Sequence, residues 1–214
     1  MDYRRLSESK AVRFPHCLAT SSGLGAVLLC ACLLVCFPRS ASAQIIDVTL
    51  DPSQTQIHFT LGATMHTVHG TFRLKSGALE FSAATQKAEG AIVVDATSGQ
   101  SGNTSRDRKM HEAVLKSAEY AQIIFVPQQI EGPISLDGDS HVQIQGLIQM
   151  LGAQHPVTVP VETHISGGKL RATLNLSIPY VQWGLKDPST FLLRVDKSVK
   201  IEVQAVGTVA TVRE

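Results

Sequence analysis

The sequence predicts an all-β fold: an antiparallel β-barrel of about eight strands with one short α-helix near residues 105–117. Three observations point there. Apolar and polar residues alternate with a period of two in segment after segment. Turn signals separate those segments at short intervals. One run only, Gly102 to Val114, leaves the alternation for a charged, helix-spaced pattern. Short connections favour a meander, in which sequence neighbours pair in space, over βαβ units. A long sheet with one apolar face either closes on itself or stacks on a second sheet, and closure removes the exposed edges. A β-sandwich is the alternative.

Before the first strand, Arg4, Arg5, Lys10 and Arg13 form a basic region and Gly23 to Phe37 an apolar run. Ala41-Ser42-Ala43 then offers small residues for cleavage, so residues 1–43 read as a secretory signal peptide and 44–214 as one domain. A retained N-terminal anchor is the rival reading. All four cysteines, Cys17, Cys30, Cys32 and Cys36, precede the cleavage point, which leaves the domain neither disulfide nor thiolate metal site. Cys36 follows Leu34 and Val35, where a lipid-attachment cysteine would want a small neighbour.

The strands follow in order. Ile57, Phe59 and Leu61 alternate with His58 and Thr60. If Gly62 to Met65 form a hairpin turn, Leu61 opposes His66, Phe59 opposes Val68, and His58 opposes His69. Phe59, Val68 and Phe72 then share the apolar face, while His58 and His69 lie on the other and His66 is separated from both. Val142, Ile144, Ile148 and Met150 share a parity with Gly146, against Gln143, Gln145 and Gln149. Val157, Val159 and Val161 alternate with Thr158, Pro160 and Glu162. Leu170, Ala172, Leu174, Leu176 and Ile178 alternate with Arg171, Thr173, Asn175 and Ser177, and Val199, Ile201, Val203 and Ala205 with Lys200, Glu202 and Gln204. Turns are expected at Asp51-Pro52, Ser76-Gly77, Glu131-Gly132-Pro133, Asp137-Gly138-Asp139, Gly152-Ala153, Gly167-Gly168 and Asp187-Pro188.

In the helical run, Thr104 or Ser105 can cap the first amides and Asp107 sits in the first turn, where the helix dipole favours a carboxylate. Met110, Val114 and Ala118 recur every four residues, an apolar stripe that needs a sheet to lie against.

Five of the 19 basic and two of the 18 acidic residues precede Gln44, leaving 14 against 16 in the domain. Such a balance is not built to neutralise a phosphate backbone, so nucleic acid is not an expected partner. Neither a Gly-x-Ser-x-Gly elbow, a P-loop nor a dinucleotide fingerprint is present. Zinc needs ligands converging on one point, and the hairpin leaves His58 and His69 as at most a surface pair, so no metal site is expected.

The inward parity of these strands comprises Phe59, Leu61, Val68, Phe72, Ile144, Ile148, Val159, Leu174, Leu176, Ile178 and Val203. Medium and small side chains on every strand can leave a central void in a barrel of this size, although a packed core remains the alternative. A void so lined would be apolar and would suit a hydrocarbon chain.

Several motifs together resemble the YceI-like lipid-binding family: the run from Phe59 to Phe72 ending TVHGTF, SGALEF from Ser76, SGNTSRDRKMHEAVLKSAEYAQIIF from Ser101, IQGLIQMLGAQHPVTVPV from Ile144, and PYVQWGLKDPSTF from Pro179. They keep their order and cover nearly all of Gln44 to Gly207. The resemblance implies an extended lipocalin-like barrel in the periplasm, or secreted, holding a polyisoprenoid or similar amphiphile. The chain departs from the family at Gly62-Ala63-Thr64-Met65, where many members carry His-Leu-Gly, and His66 is the candidate to take that histidine's place.

On this reading the inward residues form the ligand-binding set. Arg106, Asp107, His66 and Trp183 are candidates for a head-group contact or lid. For Arg106 and Asp107 the plainer role is tying the helix start to the strands, and for Trp183 a place in the core or a cap. The ligand is a hydrophobic small-molecule lipid, with no cofactor and no catalytic residue expected; transient membrane contact and a homodimer are both left open. An enzyme acting on such a lipid and a structural barrel with a solid core are the competing functions.

Overall fold

The computed structural model describes residues 44–213; the expected signal peptide lies outside them. Nine strands follow one another: β1 (Gln44–Leu50), β2 (Gln56–Gly62), β3 (Thr67–Ser82), β4 (Ala88–Gln100), β5 (Gln122–Glu131), β6 (Gly138–Met150), β7 (Ala153–Ser166), β8 (Lys169–Ile178) and β9 (Val199–Arg213). Between β4 and β5 lies α1 (Thr104–Lys109), which continues directly as a π-helical turn, Met110–Leu115.

All pairings are antiparallel and join sequence neighbours from β2 to β9. Strands β1 and β2 are two halves of one stave, since both pair with β3 on one side and with β9 on the other. The result is a closed barrel of eight staves, as the alternation predicts. Where that stave breaks, at Asp51–Thr55, the ladder is replaced rather than lost. Asp51 N–H donates to the Val206 carbonyl at 2.7 Å. Val206 N–H donates to the Thr55 hydroxyl at 3.2 Å, which satisfies the freed backbone.

Three local expectations are corrected. The hairpin register differs by two residues: Leu61 opposes Val68, Phe59 opposes Gly70 and Thr60 opposes His69. A shift of two keeps every side chain on its face, so the parity argument survives. Ser76-Gly77 is not a turn but lies inside β3, beside a bulge after Leu74. Gly77 is required there because Leu50 packs across it: a Cβ would come within 2.8 Å of Leu50 Cδ1. The helix is capped by Asn103, not Thr104 or Ser105; its side-chain oxygen accepts from Arg106 N–H at 3.0 Å.

The apolar stripe of the helical segment is Met110, Val114 and Leu115, with Ala118 exposed. A π-helical turn closes i→i+5 bonds, so Leu115 rotates onto the face that a strict four-residue period assigns elsewhere. His111 fixes the segment to the sheet. Its Nε2–H donates to the Gly99 carbonyl at 2.8 Å, leaving Nδ1 to accept from the Ser117 hydroxyl at 2.9 Å.

Gly70 sits opposite Phe59, whose ring folds over it and lies 5.4 Å, centroid to centroid, from the Phe72 ring. A Cβ at Gly70 would overlap that ring and the Gln100 carbonyl. Gly70→Ala is therefore expected to lower unfolding stability by about 1–3 kcal/mol, the usual cost of overpacking. Urea denaturation measures it, and an unchanged midpoint would contradict the packing described.

Candidate functional site

The strands enclose a cavity of about 640 Å³. That lies within the roughly 300–1,000 Å³ typical of sites for small organic ligands. All eleven residues of the inward set line it: Phe59, Leu61, Val68, Phe72, Ile144, Ile148, Val159, Leu174, Leu176, Ile178 and Val203. Burial along β8 reports the same thing another way. Arg171, Thr173, Asn175 and Ser177 are exposed, while Leu174 and Leu176 are half-buried rather than fully buried. An inward leucine in a solid core would be covered on all sides; here the uncovered surface borders the cavity.

The two ends differ. Where β3 meets β4 and β5 meets β6, Ile46, Phe81, Ala88, Ile130, Val142 and Val161 are buried together and close the barrel. At the opposite end the helical segment, the β2–β3 turn and the long β8–β9 connection surround the cavity. Every exposed lining residue is found there: His66, Asn103, Ser105, Lys109 and Thr190. Among the described residues the cavity therefore opens at this end.

Among the head-group candidates, Arg106 and His66 border the opening. Arg106 is tied down at Ser101, donating from Nε to the hydroxyl at 2.7 Å and from an η nitrogen to the carbonyl at 2.8 Å. Asp107 does not line the cavity; Ser101 N–H donates to its carboxylate at 2.9 Å, and the Ser101 hydroxyl bonds it too. The two neighbours that point apart on the helix thus meet through one serine, which pins α1 across the mouth. Trp183 is likewise not among the cavity-lining residues: its ring stacks on His155 with centroids 4.2 Å apart and packs against the apolar cluster of Leu115, Ile148 and Tyr180 at this end of the barrel. His58 and His69 are on the outer face, His69 bonded to Thr60. Among the described residues no group of three or more metal-ligating side chains converges.

Several lining residues fall outside the alternating strands: Ser101, Lys109, Leu185, Pro188, Thr190, Leu193 and Val195. Among the described residues, Lys109 and Arg106 are the only charged groups in the lining, both cationic. The β8–β9 connection is held by Tyr180, a buried residue whose hydroxyl donates to the Asp196 carbonyl at 2.7 Å. Thr64 N–H donates to the Arg194 carbonyl at 2.9 Å, joining this connection to the β2–β3 turn.

Burial, with the carboxylates of Asp187 and Asp196 nearby, pushes the Tyr180 phenol up to about 12 from its ordinary 10.0. The folded state holds that proton more tightly than the unfolded chain. Its contribution to stability is thus complete below about pH 10 and is lost as pH rises toward about 12. Wild type is expected to lose more stability than Tyr180→Phe over that window. At neutral pH the substitution costs about 1 kcal/mol for the orphaned carbonyl. Thermal melts across the alkaline range decide it, and parallel curves for the two proteins would contradict the assignment.

Comparison with known proteins agrees with this architecture. The model of the YceI-like domain matches residues 48–207. No curated protein matches by sequence. Among solved structures, a polyisoprenoid binding domain from Saccharophagus degradans implicated in plant cell wall breakdown superposes with a TM-score of 0.61 at 15% identity, over 79% of this chain and 99% of that one. Burkholderia cenocepacia BcnA gives 0.60 at 17% identity, over 74% and 99%. The Campylobacter jejuni YCEI protein gives 0.53 at 16% identity, over 71% and 88%. At these identities the likeness is one of fold.

Proposed function

The chain belongs to the YceI-like domain family, and we propose that its barrel holds a long apolar lipid, a polyisoprenoid, as a carrier, store or sequestering protein rather than an enzyme. The observation that carries this reading is the cavity: an apolar interior, closed at one end, open at the other, with its charged lining confined to the mouth. Each methylene moved from water into such a space contributes about 0.8 kcal/mol. About a dozen therefore supply roughly 10 kcal/mol gross, part of which is offset by ordering the chain. Affinity then follows chain length more than head-group chemistry. That one structural neighbour is a polyisoprenoid binding domain supports the same ligand class.

The polar rim suits a head group left at the opening. Arg106 is already oriented by Ser101, and Lys109 and His66 line the same cavity. No carboxylate lines the cavity among the described residues, and its one histidine, His66, is exposed at the rim. An apolar interior without an acid–base pair supports holding a ligand over transforming it. The basic segment, apolar run and small residues before Gln44 support export. The proposed place of action is the periplasm or the cell exterior, after cleavage near Ala43.

Solvent extraction of the protein purified from cells, followed by mass spectrometry, is expected to yield a stoichiometric isoprenoid lipid that leaves unchanged on incubation. Repeated preparations without lipid would count against the carrier. Leu174→Asp, which sets a charge on the cavity wall, is expected to abolish uptake of a fluorescent isoprenoid, whereas the outward Asn175→Asp leaves it intact. Equal effects of the two substitutions would refute the wall assignment.

A further inference from the structure

The three most exposed large apolar residues of the described chain are Phe191, 95% exposed, Met65, 84%, and Leu192, 84%. Single exposed apolar side chains are ordinary, but these three belong to the two connections that frame the cavity mouth. Their exposure is built in. Thr190 N–H donates to the Leu193 carbonyl at 2.8 Å and Leu193 N–H to the Thr190 hydroxyl at 3.1 Å, so Phe191 and Leu192 form the tip of a bonded turn. The stems of that turn, Thr190 and Leu193, line the cavity. An isolated bridge between Ala63 and Val195, with the Thr64–Arg194 bonds, joins this turn to the one that carries Met65.

Charge follows the same geography. Residues 101–112 and 179–198 carry six basic groups (Arg106, Arg108, Lys109, Lys186, Arg194 and Lys197) against four acidic (Asp107, Glu112, Asp187 and Asp196). The domain as a whole has the opposite balance, 14 basic against 16 acidic from Gln44 onward. An exposed apolar tip on an end of net positive charge is the arrangement that binds an anionic bilayer surface, with the apolar groups among acyl chains and the cations at the head groups.

We propose that the open end of the barrel docks on an anionic lipid bilayer, with Phe191, Leu192 and Met65 entering the interface, so that a lipid passes between membrane and cavity without crossing water. The inference rests on the carrier reading for its purpose but stands on separate residues. Three apolar side chains and a weak field give shallow, reversible attachment. That suits a protein that must leave again with its cargo.

The test is flotation of the full chain with vesicles of phosphatidylcholine with and without phosphatidylglycerol, comparing wild type, the double variant Phe191→Ser/Leu192→Ser, and Val212→Ser as a control exposed at the other end of the barrel. Both substituted loop residues are almost wholly exposed, so the variant is expected to fold. Wild type and Val212→Ser should float with the anionic vesicles, less as salt rises, and the double variant about tenfold less or worse. Loading of a fluorescent isoprenoid added from ethanol, without vesicles, should be the same in all three. Wild type that ignores the vesicles, or a double variant that floats equally, overturns the proposal. So does a wild type that is dimeric by sedimentation and becomes monomeric in the double variant without any vesicle binding, which would assign the patch to a second copy. Failure of loading in every protein counts against the carrier reading alone, and flotation then still decides the docking surface.

Discussion

Closure of the sheet is the constraint on which the rest of this structure depends. Once β1 and β2 share a stave that pairs with both β3 and β9, the wall has no free edge and its circumference is set by eight staves. The interior then has a fixed width, and whether it is filled depends on the side chains that point inward. Here those are mostly valines, isoleucines and leucines with Ala172 and Ala205 among them, and beyond the cluster that closes one end they coat the wall and leave the interior open. Of the larger aromatic groups, Phe59 lies over Gly70 with Phe72 beside it on the cavity wall, and Phe81 is buried in the cluster that closes the far end. A cavity is thus a consequence of wall geometry and side-chain size together.

The mouth follows from the connections rather than the wall. At the closed end the turns are short, and the staves converge on buried apolar groups. At the other end two long connections, the helical segment and residues 179–198, join the short β2–β3 and β6–β7 turns and bring polar and cationic groups to the rim. Each is fixed by a small number of hydrogen bonds. Ser101 gathers Arg106 and Asp107, His111 joins Gly99 to Ser117, and Tyr180 holds Asp196. Such an end is polar at the rim of the cavity and apolar at its outermost tip.

How much of this is legible in the sequence depends on periodicity. Strand parity has only two values, and one face of each strand is markedly apolar, so the eleven inward residues could be named from alternation and all border the cavity. A register shift of two leaves that pattern untouched, which is why the β2–β3 pairing was not fixed by it. The helical stripe assigned Ala118 in place of Leu115 because a π-helical turn breaks the period on which the count relies. Lys109, Leu185, Pro188, Thr190, Leu193 and Val195 lie in the helix and an irregular loop. A loop has no period to read, so only the three-dimensional path shows that they rim the opening. Trp183 illustrates the converse: a lone large aromatic in a loop suggests a ligand contact, yet its ring is stacked on His155 and packed against the apolar cluster at that end, off the cavity lining.

The measurement that bears most directly on the central claim is a high-resolution crystal structure of the protein purified without delipidation. A continuous rod of non-protein density is expected, enclosed by Phe59, Phe72, Ile144, Leu174, Leu176 and Val203, its polar end beside Arg106 and Lys109. A barrel whose inward side chains interlock across the axis, with no space wide enough for an alkyl chain, would contradict it.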